Sequence, residues 1–275
     1  MSISLYEINN EIVRPTHYLY GGSNDLRQVK GESLFPEVYA NIFILAKKKS
    51  GKSVVVNKII RSCSTIETTV IVFASTVDRD KEHLAIKKYC DNKGIGYIGY
   101  TSMEEDGVNV LDILIQKLQD EAKDNMDIEE EHKSMNLFDS DDEDEEPKKR
   151  KSKYLAPEYI LVFDDISNEL RNRTLEKLMK MNRHYKMKVI ISSQYCNDLL
   201  PSEIKQLDYC LVFRGETDAK LEKLHKDLDL SINFELFKKV YKYATQKMYS
   251  FLYIDVRQEK YRKNFNYEYK INETF

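Results

Sequence analysis

The sequence predicts an α/β protein whose mainly parallel, doubly wound sheet ends in antiparallel strands. Short runs of β-branched and other apolar residues recur along the chain, which is typical of buried parallel strands. Segments with the apolar spacing of helices separate these runs, as expected for a sheet with helices packed against it. From Met248 onward, apolar and polar residues alternate, which indicates antiparallel strands.

Length and composition fit a globular protein. The chain has 275 residues, of which 41% are hydrophobic, so it can bury a sizeable core. It contains no run of about 18 apolar residues, and its first residues lack the pattern of a signal peptide, so we expect no membrane span. The four cysteines are scattered without metal-ligand spacing, which favours reduced thiols.

The chain divides into an N-terminal extension at residues 1–40 and a main domain at residues 41–275. In the main domain, residues 42–45 predict a buried strand and residues 54–60 predict a helix. A polar loop joins the two. Its residues are Ala46, Lys47, Lys48, Lys49, Ser50, Gly51, Lys52 and Ser53.

A strand, a loop ending in Gly-Lys-Ser and a helix form the arrangement of a P-loop, which binds the phosphates of a nucleotide through backbone N–H groups. Lys52 supplies a cation for the β- and γ-phosphates, and the hydroxyl of Ser53 is a ligand for Mg²⁺. Ala46 replaces the first glycine of the pattern. We expect the lysines at 47–49 to raise the positive potential beside the phosphates, in compensation for this change.

A second buried strand is predicted at residues 68–75, and Thr76 or Asp78 is expected to cap the helix that follows. Residues 94–100 predict a short strand with glycine kinks. Residues 108–118 then have the apolar spacing of a helix.

A strongly acidic segment follows this helix. Residues 120–146 contain 14 acidic and two basic residues, a net charge of −12, so the rest of the chain carries +9. We predict a disordered insertion at 120–153. The basic run at 147–151 fits either a nuclear-localisation signal or a solvated linker. The positive remainder fits either a nucleic-acid partner or a lysine-rich surface that keeps the protein soluble.

The second chemical signal is a strand that ends in two carboxylates. Residues 159–163 are apolar, and Asp164 and Asp165 follow them directly, as in a Walker B motif. In such a motif the first carboxylate holds Mg²⁺ and the second acts as general base toward the attacking water. We therefore predict that Asp164 is the metal-binding acid and Asp165 the base.

The remaining chain predicts two further buried strands and three helices. A helix is expected over 170–185, followed by a strand over 188–194. Gln194 ends that strand, where a polar side chain can orient the attacking water and sense the γ-phosphate. A strand over 209–213 leads to Arg214, and helices are expected over 218–228 and 234–243.

Together these motifs resemble the genome-packaging ATPases of large double-stranded DNA viruses, within the FtsK/HerA superfamily of P-loop NTPases. The resemblance spans about residues 38–215, and it departs from the family pattern at Ala46 and in the length of the acidic insertion. It rests on the stretches 46–53, 161–165, 182–185, 191–195 and 198–201, and on 208–209 leading to 213–214.

The resemblance implies a homo-oligomeric ring at a capsid portal or vertex, in which ATP hydrolysis drives double-stranded DNA into a preformed shell. It implies ATP and Mg²⁺ as the bound groups, with Lys52, Ser53, Asp164, Asp165 and Gln194 in the roles given above. It also implies an arginine finger that reaches a neighbouring subunit's nucleotide, and we assign this role to Arg183, with Arg214 as the alternative. The expected location is the host cytoplasm at the assembly site or the virion, or the nucleus if the basic run at 147–151 is a signal.

Three alternatives share some of these features. Another DNA-translocating or helicase-type ATPase would carry the same motifs, together with an accessory domain for which the chain has little room. A small-molecule kinase would need an arginine-rich lid and an acceptor pocket. A virion component that binds nucleotide without turnover would fit the Ala46 change, although the intact lysine and acidic residues argue against it.

Overall fold

A computed structural model of the protein describes residues 27–105, 107–120 and 152–271. The strands within these ranges are β1 (Gln28–Val29), β2 (Asn41–Leu45), β3 (Thr69–Phe73), β4 (Gly96–Tyr100), β5 (Glu104–Glu105), β6 (Val108–Asn109), β7 (Tyr154–Leu155), β8 (Tyr159–Asp164), β9 (Met187–Ser193), β10 (Tyr209–Phe213), β11 (Phe251–Asp255), β12 (Lys260–Lys263) and β13 (Tyr267–Glu268).

The helices surround this set of strands. They are α1 (Lys52–Cys63), α2 (Lys81–Lys93), α3 (110–120), α4 (Ser167–Leu170), α5 (Arg173–Met181), α6 (Pro201–Ile204), α7 (Asp218–Asp227) and α8 (Phe234–Ala244). None of the helices in the described ranges is long and apolar enough to cross a membrane.

Within the described residues, nine strands form the main sheet, in the order β13-β12-β11-β10-β2-β9-β8-β3-β4. Strands β10, β2, β9, β8, β3 and β4 are parallel, whereas β11, β12 and β13 pair antiparallel. The predicted α/β class, with a mainly parallel sheet and antiparallel C-terminal strands, is confirmed. Strand β9 lies between β2 and β8, so the carboxyl ends of these three strands are adjacent at one edge of the sheet.

Both faces of the sheet are covered because its central strands are apolar on both sides. In β2, Ile42 and Ile44 pack into the core formed with α1 and α2, while Phe43 and Leu45 pack into the core formed with α3 and α5–α8. All four side chains are buried. Complete burial of one such side chain stabilises the fold by about 1.5–3 kcal/mol. The two covered faces make the sheet doubly wound, as predicted.

Three predicted helix boundaries were wrong. The helix expected over 170–185 is the shorter α5, since Leu170 ends α4 and Asn172 caps α5 by accepting a hydrogen bond from the backbone N–H of Thr174 at 2.9 Å. Helix α2 is capped by Asp80 rather than by Thr76 or Asp78. Helix α3 begins at 110 rather than 108, because residues 108–109 pair with β5.

Part of two predicted segments lies outside the described residues. Residues 1–26 of the N-terminal extension lie outside the described residues. The described part of the extension contains β1, which pairs in parallel with β7. Of the predicted acidic insertion, residues 121–151 lie outside, together with the basic run at 147–151.

Glu203 is expected to make the stability of the protein depend on pH. Its side chain is fully buried in α6, and burial raises its pKa to about 7, against the hydrogen bond that it accepts from the Leu200 N–H. The folded protein therefore favours the protonated carboxyl group of Glu203 more than the unfolded chain does. The stability that this preference provides is complete below about pH 4.5, the ordinary pKa of a glutamate, and is lost as pH rises through 7. Substitution Glu203→Gln should make the free energy of unfolding at pH 8 larger by up to about 3 kcal/mol, and leave it little changed at pH 4.5.

Urea unfolding at both pH values measures this difference. The control is Glu222→Gln, which removes an exposed carboxylate of α7 that pairs with Lys226. An equal response of the two variants to pH would contradict the assignment.

Candidate active site

The loop from Ala46 to Ser53 connects the central strand β2 to the start of α1. The backbone N–H of Ala46 donates to the carbonyl of Ser193 at 2.9 Å, which ties the start of the loop to the end of β9. Ala46 is fully buried, and its φ is not positive, so its methyl group meets no backbone strain. The glycine missing from the motif is therefore replaced at a position whose conformation suits alanine.

Gly51 ends the loop in a conformation that favours glycine. Its φ is +92°, in the left-handed region, and it is the N-cap of α1 without a side chain to accept hydrogen bonds from the first turn. The first-turn N–H groups of α1 therefore remain available to an anion, and the helix dipole favours negative charge there. The loop has the geometry that phosphate binding requires.

Lys52 begins α1 and lies buried against both predicted acids. Its Nζ is 3.3 Å from Asp164 Oδ1 and forms an ion pair with Asp165 Oδ1. The side chains of Lys52 and Asp164 are 9% and 7% exposed, whereas that of Asp165 is 41% exposed. The structure thus brings the motif lysine and both carboxylates, which are more than 110 positions apart in sequence, into one cluster.

His83 extends this cluster from α2. Its Nε2 lies 3.3 Å from Asp164 Oδ2, and its side chain is buried. Burial alone would raise the pKa of Asp164, but the hydrogen bond from His83 and the positive charge of Lys52 outweigh burial and lower the pKa below its ordinary value. Asp164 is therefore held as a carboxylate.

Asp165 and Gln194 meet at the carboxyl ends of two neighbouring strands. Asp165 has a φ of +52°, and its backbone N–H donates to Ser192 of β9 at 3.2 Å. Gln194 follows β9, and its Nε2 lies 3.4 Å from Asp165 Oδ1. The half-exposed carboxylate and the amide therefore face the same space at the edge of the sheet.

Mg²⁺ fits the residues at this edge. Magnesium in nucleotide sites is held by one or two protein oxygens together with phosphates and waters. The low pKa of Asp164 favours a carboxylate, and its buried Oδ1 accepts no hydrogen bond from the part of the chain that the structure describes, although it lies near the Lys52 ammonium. Ser53, half-buried in the first turn of α1, provides the second oxygen at the position predicted from the motif.

The predicted arginines lie at opposite edges of the sheet. Arg183 precedes β9, where its Nη2 lies 3.1 Å from Glu37 Oε2 and 3.6 Å from Asp208 Oδ1. It lines a cleft of about 410 Å³ at the amino ends of β2 and β10. The structure does not bring Arg183 to the other predicted site residues of its own chain. Arg214 is exposed and follows β10, at the same edge as the P-loop.

The three loop lysines are exposed beside the turn that leads into α1. Lys47 packs against Gly215, where an added Cβ would lie 3.4 Å from the lysine Cδ and Nζ, while Lys48 and Lys49 point to solvent. Ser50 is half-buried, and its hydroxyl accepts or donates no hydrogen bond within the described residues. The exposed lysines agree with a positive potential at this turn, and their predicted compensation for Ala46 stays a prediction.

Sequence reasoning missed two residues at this edge. His83 belongs to no motif, and its contact with Asp164 depends on how the start of α2 lies beside the end of β8. Tyr249 was not singled out, yet a Cβ added to Gly51 would lie 3.3 Å from its Cδ1. Both contacts join residues that are distant in sequence, and neither carries a motif.

The sequence matches no protein-family model, and no curated protein is similar to it. Solved structures are similar. The genome packaging NTPase B204 of Sulfolobus turreted icosahedral virus 2, in complex with AMP, aligns with a TM-score of 0.52 at 17% identity, over 86% of this chain and 100% of that one. B204, the DNA-packaging ATPase from Sulfolobus turreted icosahedral virus, aligns with a TM-score of 0.51 at 19% identity, over 85% and 98% of the two chains.

A third structure, the B204 of the second virus with ATP-gammaS, aligns with a TM-score of 0.50 at 18% identity, over 81% and 95% of the two chains. At these identities the likeness concerns the fold. It agrees with the resemblance found in the motifs, because the similar structures are those of viral genome-packaging NTPases. The chain therefore has the fold of B204.

Proposed function

We propose that the protein is an ATP-hydrolysing motor that translocates double-stranded DNA into a preformed capsid. The observation that carries the proposal is the convergence of Lys52, Asp164, Asp165 and Gln194 beside the free N-terminus of α1. This set combines phosphate binding, metal binding and activation of water, which together are the requirements of nucleotide hydrolysis. The fold shared with B204, a DNA-packaging ATPase, supports DNA as the partner.

Nucleotide binding begins with an exchange of ion pairs at Lys52. The ammonium group contacts both carboxylates, and phosphate oxygens offer it stronger, multiply charged partners. When Lys52 turns to the β- and γ-phosphates, Asp165 loses its cation. Asp165 is then a half-exposed carboxylate beside the terminal phosphate, where it can accept a proton.

Hydrolysis follows from the pairing of Asp165 with Gln194. The amide lies 3.4 Å from the carboxylate, so a water that accepts from the amide and donates to Asp165 is oriented toward the γ-phosphate. Asp165 takes the proton as the water oxygen bonds to phosphorus and the bond to the β-phosphate oxygen breaks. Asp164 and Ser53 would hold Mg²⁺, which would neutralise phosphate charge. His83 keeps the Asp164 carboxylate in position.

The ring and its arginine finger are part of the proposal. Arg183 lies at the sheet edge opposite to the P-loop, so it can reach a nucleotide only in a neighbouring subunit, as an arginine finger acting between chains does. In such a ring, the neighbouring subunit presents to Arg183 the edge of its sheet where the parallel strands end and the P-loop lies. Arg214, which shares an edge with the P-loop, is the alternative. Capsid portal or vertex proteins are the expected binding partners, at the viral assembly site or in the virion.

Double-stranded DNA is expected to raise the rate of ATP hydrolysis several-fold. The positive charge of the chain outside its acidic segment attracts phosphates, so the stimulation should fall as salt is raised. Steady-state phosphate release, measured with and without linear duplex DNA between 50 and 200 mM salt, tests this expectation.

Each outcome of that assay separates the proposal from an alternative. Turnover that is indifferent to DNA contradicts the motor and favours a kinase, which a phosphoryl acceptor would then stimulate. Stimulation by single strands but not by duplex DNA favours a helicase-type enzyme. Nucleotide binding without any turnover favours a virion component that does not hydrolyse ATP.

Substitution His83→Ala is expected to raise the Mg²⁺ concentration needed for half-maximal turnover by about 10–100-fold, as for other residues that orient a metal ligand. Without the histidine, the buried Asp164 loses the contact at Oδ2 and can turn away from the metal position. Magnesium titrations of the ATPase rate measure the effect. His83→Asn, which keeps a donor, should restore part of the affinity, whereas equal losses in both variants would indicate a packing role only.

A further inference from the structure

We propose that Tyr249 forms the stacking platform for the nucleotide base. This inference rests on the proposed nucleotide site and identifies its other end. The residues that act on the terminal phosphate lie on one side of β2, after β9 and β8. Because the P-loop holds the phosphates at the end of β2, the ribose and base of the same nucleotide extend to the other side, over β10 and β11.

Tyr249 lies on that side, two residues before the start of β11. Strand β11 is two strands from β2, a separation of about 10 Å, which a nucleoside triphosphate can span. Because β11 is antiparallel to β10, its first residues lie at the same edge as the P-loop. The ring contacts the loop itself, since a Cβ on Gly51 would lie only 3.3 Å from Tyr249 Cδ1.

The tyrosine is held in an exposed position. Its side chain is 62% exposed, beside Met248 at 71%, so its ring has not been buried to stabilise the fold. Its φ of +63° is unfavourable for a bulky residue and persists only where the surroundings impose it. A rigid, exposed aromatic ring is what stacking on a base requires, and stacking accepts any base because each has a π-face.

The turn that carries Tyr249 is anchored at both ends. The backbone N–H and the hydroxyl of Ser250 both donate to the carbonyl of Lys247, at 3.3 and 2.5 Å. The next residue, Phe251, is buried in β11, and its N–H donates to Asn264 Oδ1 at 3.0 Å. The ring is therefore positioned before a nucleotide arrives, which lowers the entropic cost of stacking.

A tryptophan at this position reports on the contact directly. The chain has no tryptophan, so Tyr249→Trp introduces a single indole whose emission can be followed. We expect ATP and ADP to quench this emission at saturation, and inorganic tripolyphosphate, which lacks a base, to leave it unchanged. Tyr267→Trp, on the outer strand β13, is the control and should respond to neither. Unchanged emission of Tyr249→Trp with saturating ATP would overturn the proposal.

Affinities measured by calorimetry give the second test. Tyr249→Leu keeps an apolar group against Gly51 but has no ring, and it should bind ATP about tenfold more weakly, while Tyr249→Phe binds as the wild type does. Tripolyphosphate affinity should be equal in all three proteins. An equal loss for tripolyphosphate in Tyr249→Leu would mean that the ring only supports the P-loop, and an unchanged ATP affinity would mean that it contacts no base; both overturn the proposal.

Failure of the proposed function has a different signature. If the wild-type protein binds neither ATP nor tripolyphosphate, the phosphate site itself is wrong, and the base platform falls with it. If ATP binds the wild type and Tyr249→Leu with the same affinity, and tripolyphosphate also binds both proteins equally well, the phosphate site stands and only the platform is refuted.

Discussion

Lys52→Ala is expected to lower the rate of ATP hydrolysis by at least about 100-fold. The substitution removes the ammonium group at the first residue of α1, where the phosphates are expected to bind. The loss has two physical components. The ammonium group no longer neutralises charge that develops on the β- and γ-phosphates, and the phosphates meet two carboxylates that have lost the lysine cation between them. Both effects oppose the same substrate, so nucleotide affinity and turnover should fall together.

The variant is expected to remain folded. Asp164 is buried, but it keeps the contact with His83, and Asp165 is partly exposed to water. Circular dichroism and thermal unfolding therefore separate loss of the site from loss of the fold. Lys58→Ala is the matched control, because Lys58 lies on the same helix with an exposed side chain. Equal turnover by Lys52→Ala and Lys58→Ala would show that the site has been wrongly assigned.

The sheet was predictable from the sequence because its strands are buried on both faces. Runs such as 42–45 and 159–163 are too apolar to lie exposed to solvent, so they are expected to be buried strands. Helices connect these strands, which implies that they pair in parallel. The position of β9 between β2 and β8 could not be predicted from the sequence of any single strand. It depends on which helix covers which face, and it is this order that brings Gln194 within reach of Asp165.

Helix ends were less predictable because several residues near each end can accept a hydrogen bond. Thr76, Asp78 and Asp80 all have suitable side chains, and the turn at residues 76–80 makes Asp80 the residue that caps α2. Similarly, Asn172 lies in a segment whose apolar spacing continues across it. Local pattern gives the element, and the competition between neighbouring caps gives its boundary.

The candidate site was predictable where a motif fixes both residue and role, as for Lys52 and Asp164. It was not predictable where tertiary packing creates the contact. His83 is marked out only by its contact with Asp164 at the end of β8, and Tyr249 only by the turn that holds it beside Gly51. The sequence predicts that Arg183 lies just before β9, but a role as arginine finger would depend on a neighbouring subunit.

Asp165→Asn is expected to lower turnover by about 100- to 10,000-fold while nucleotide binding is kept. The amide has nearly the shape of the carboxylate, and asparagine tolerates the left-handed φ of +52° at this position, so the backbone should not change. What is lost is the group that accepts the proton from the attacking water. Asp164, which holds the metal in the proposal, is untouched, so Mg²⁺ dependence should remain that of the wild type.

The same substitution tests the proposed exchange of ion pairs. In the wild type, ATP has to draw Lys52 away from Asp165, whereas in Asp165→Asn the ammonium keeps only Asp164 as a charged partner. ATP affinity should therefore be equal to that of the wild type or higher, although turnover is lost. Equilibrium binding and single-turnover hydrolysis measure the two effects separately, with Asp91→Asn on the exposed side of α2 as the control. A variant that binds ATP more weakly would contradict the exchange, and one that hydrolyses it at the wild-type rate would assign the base to another residue.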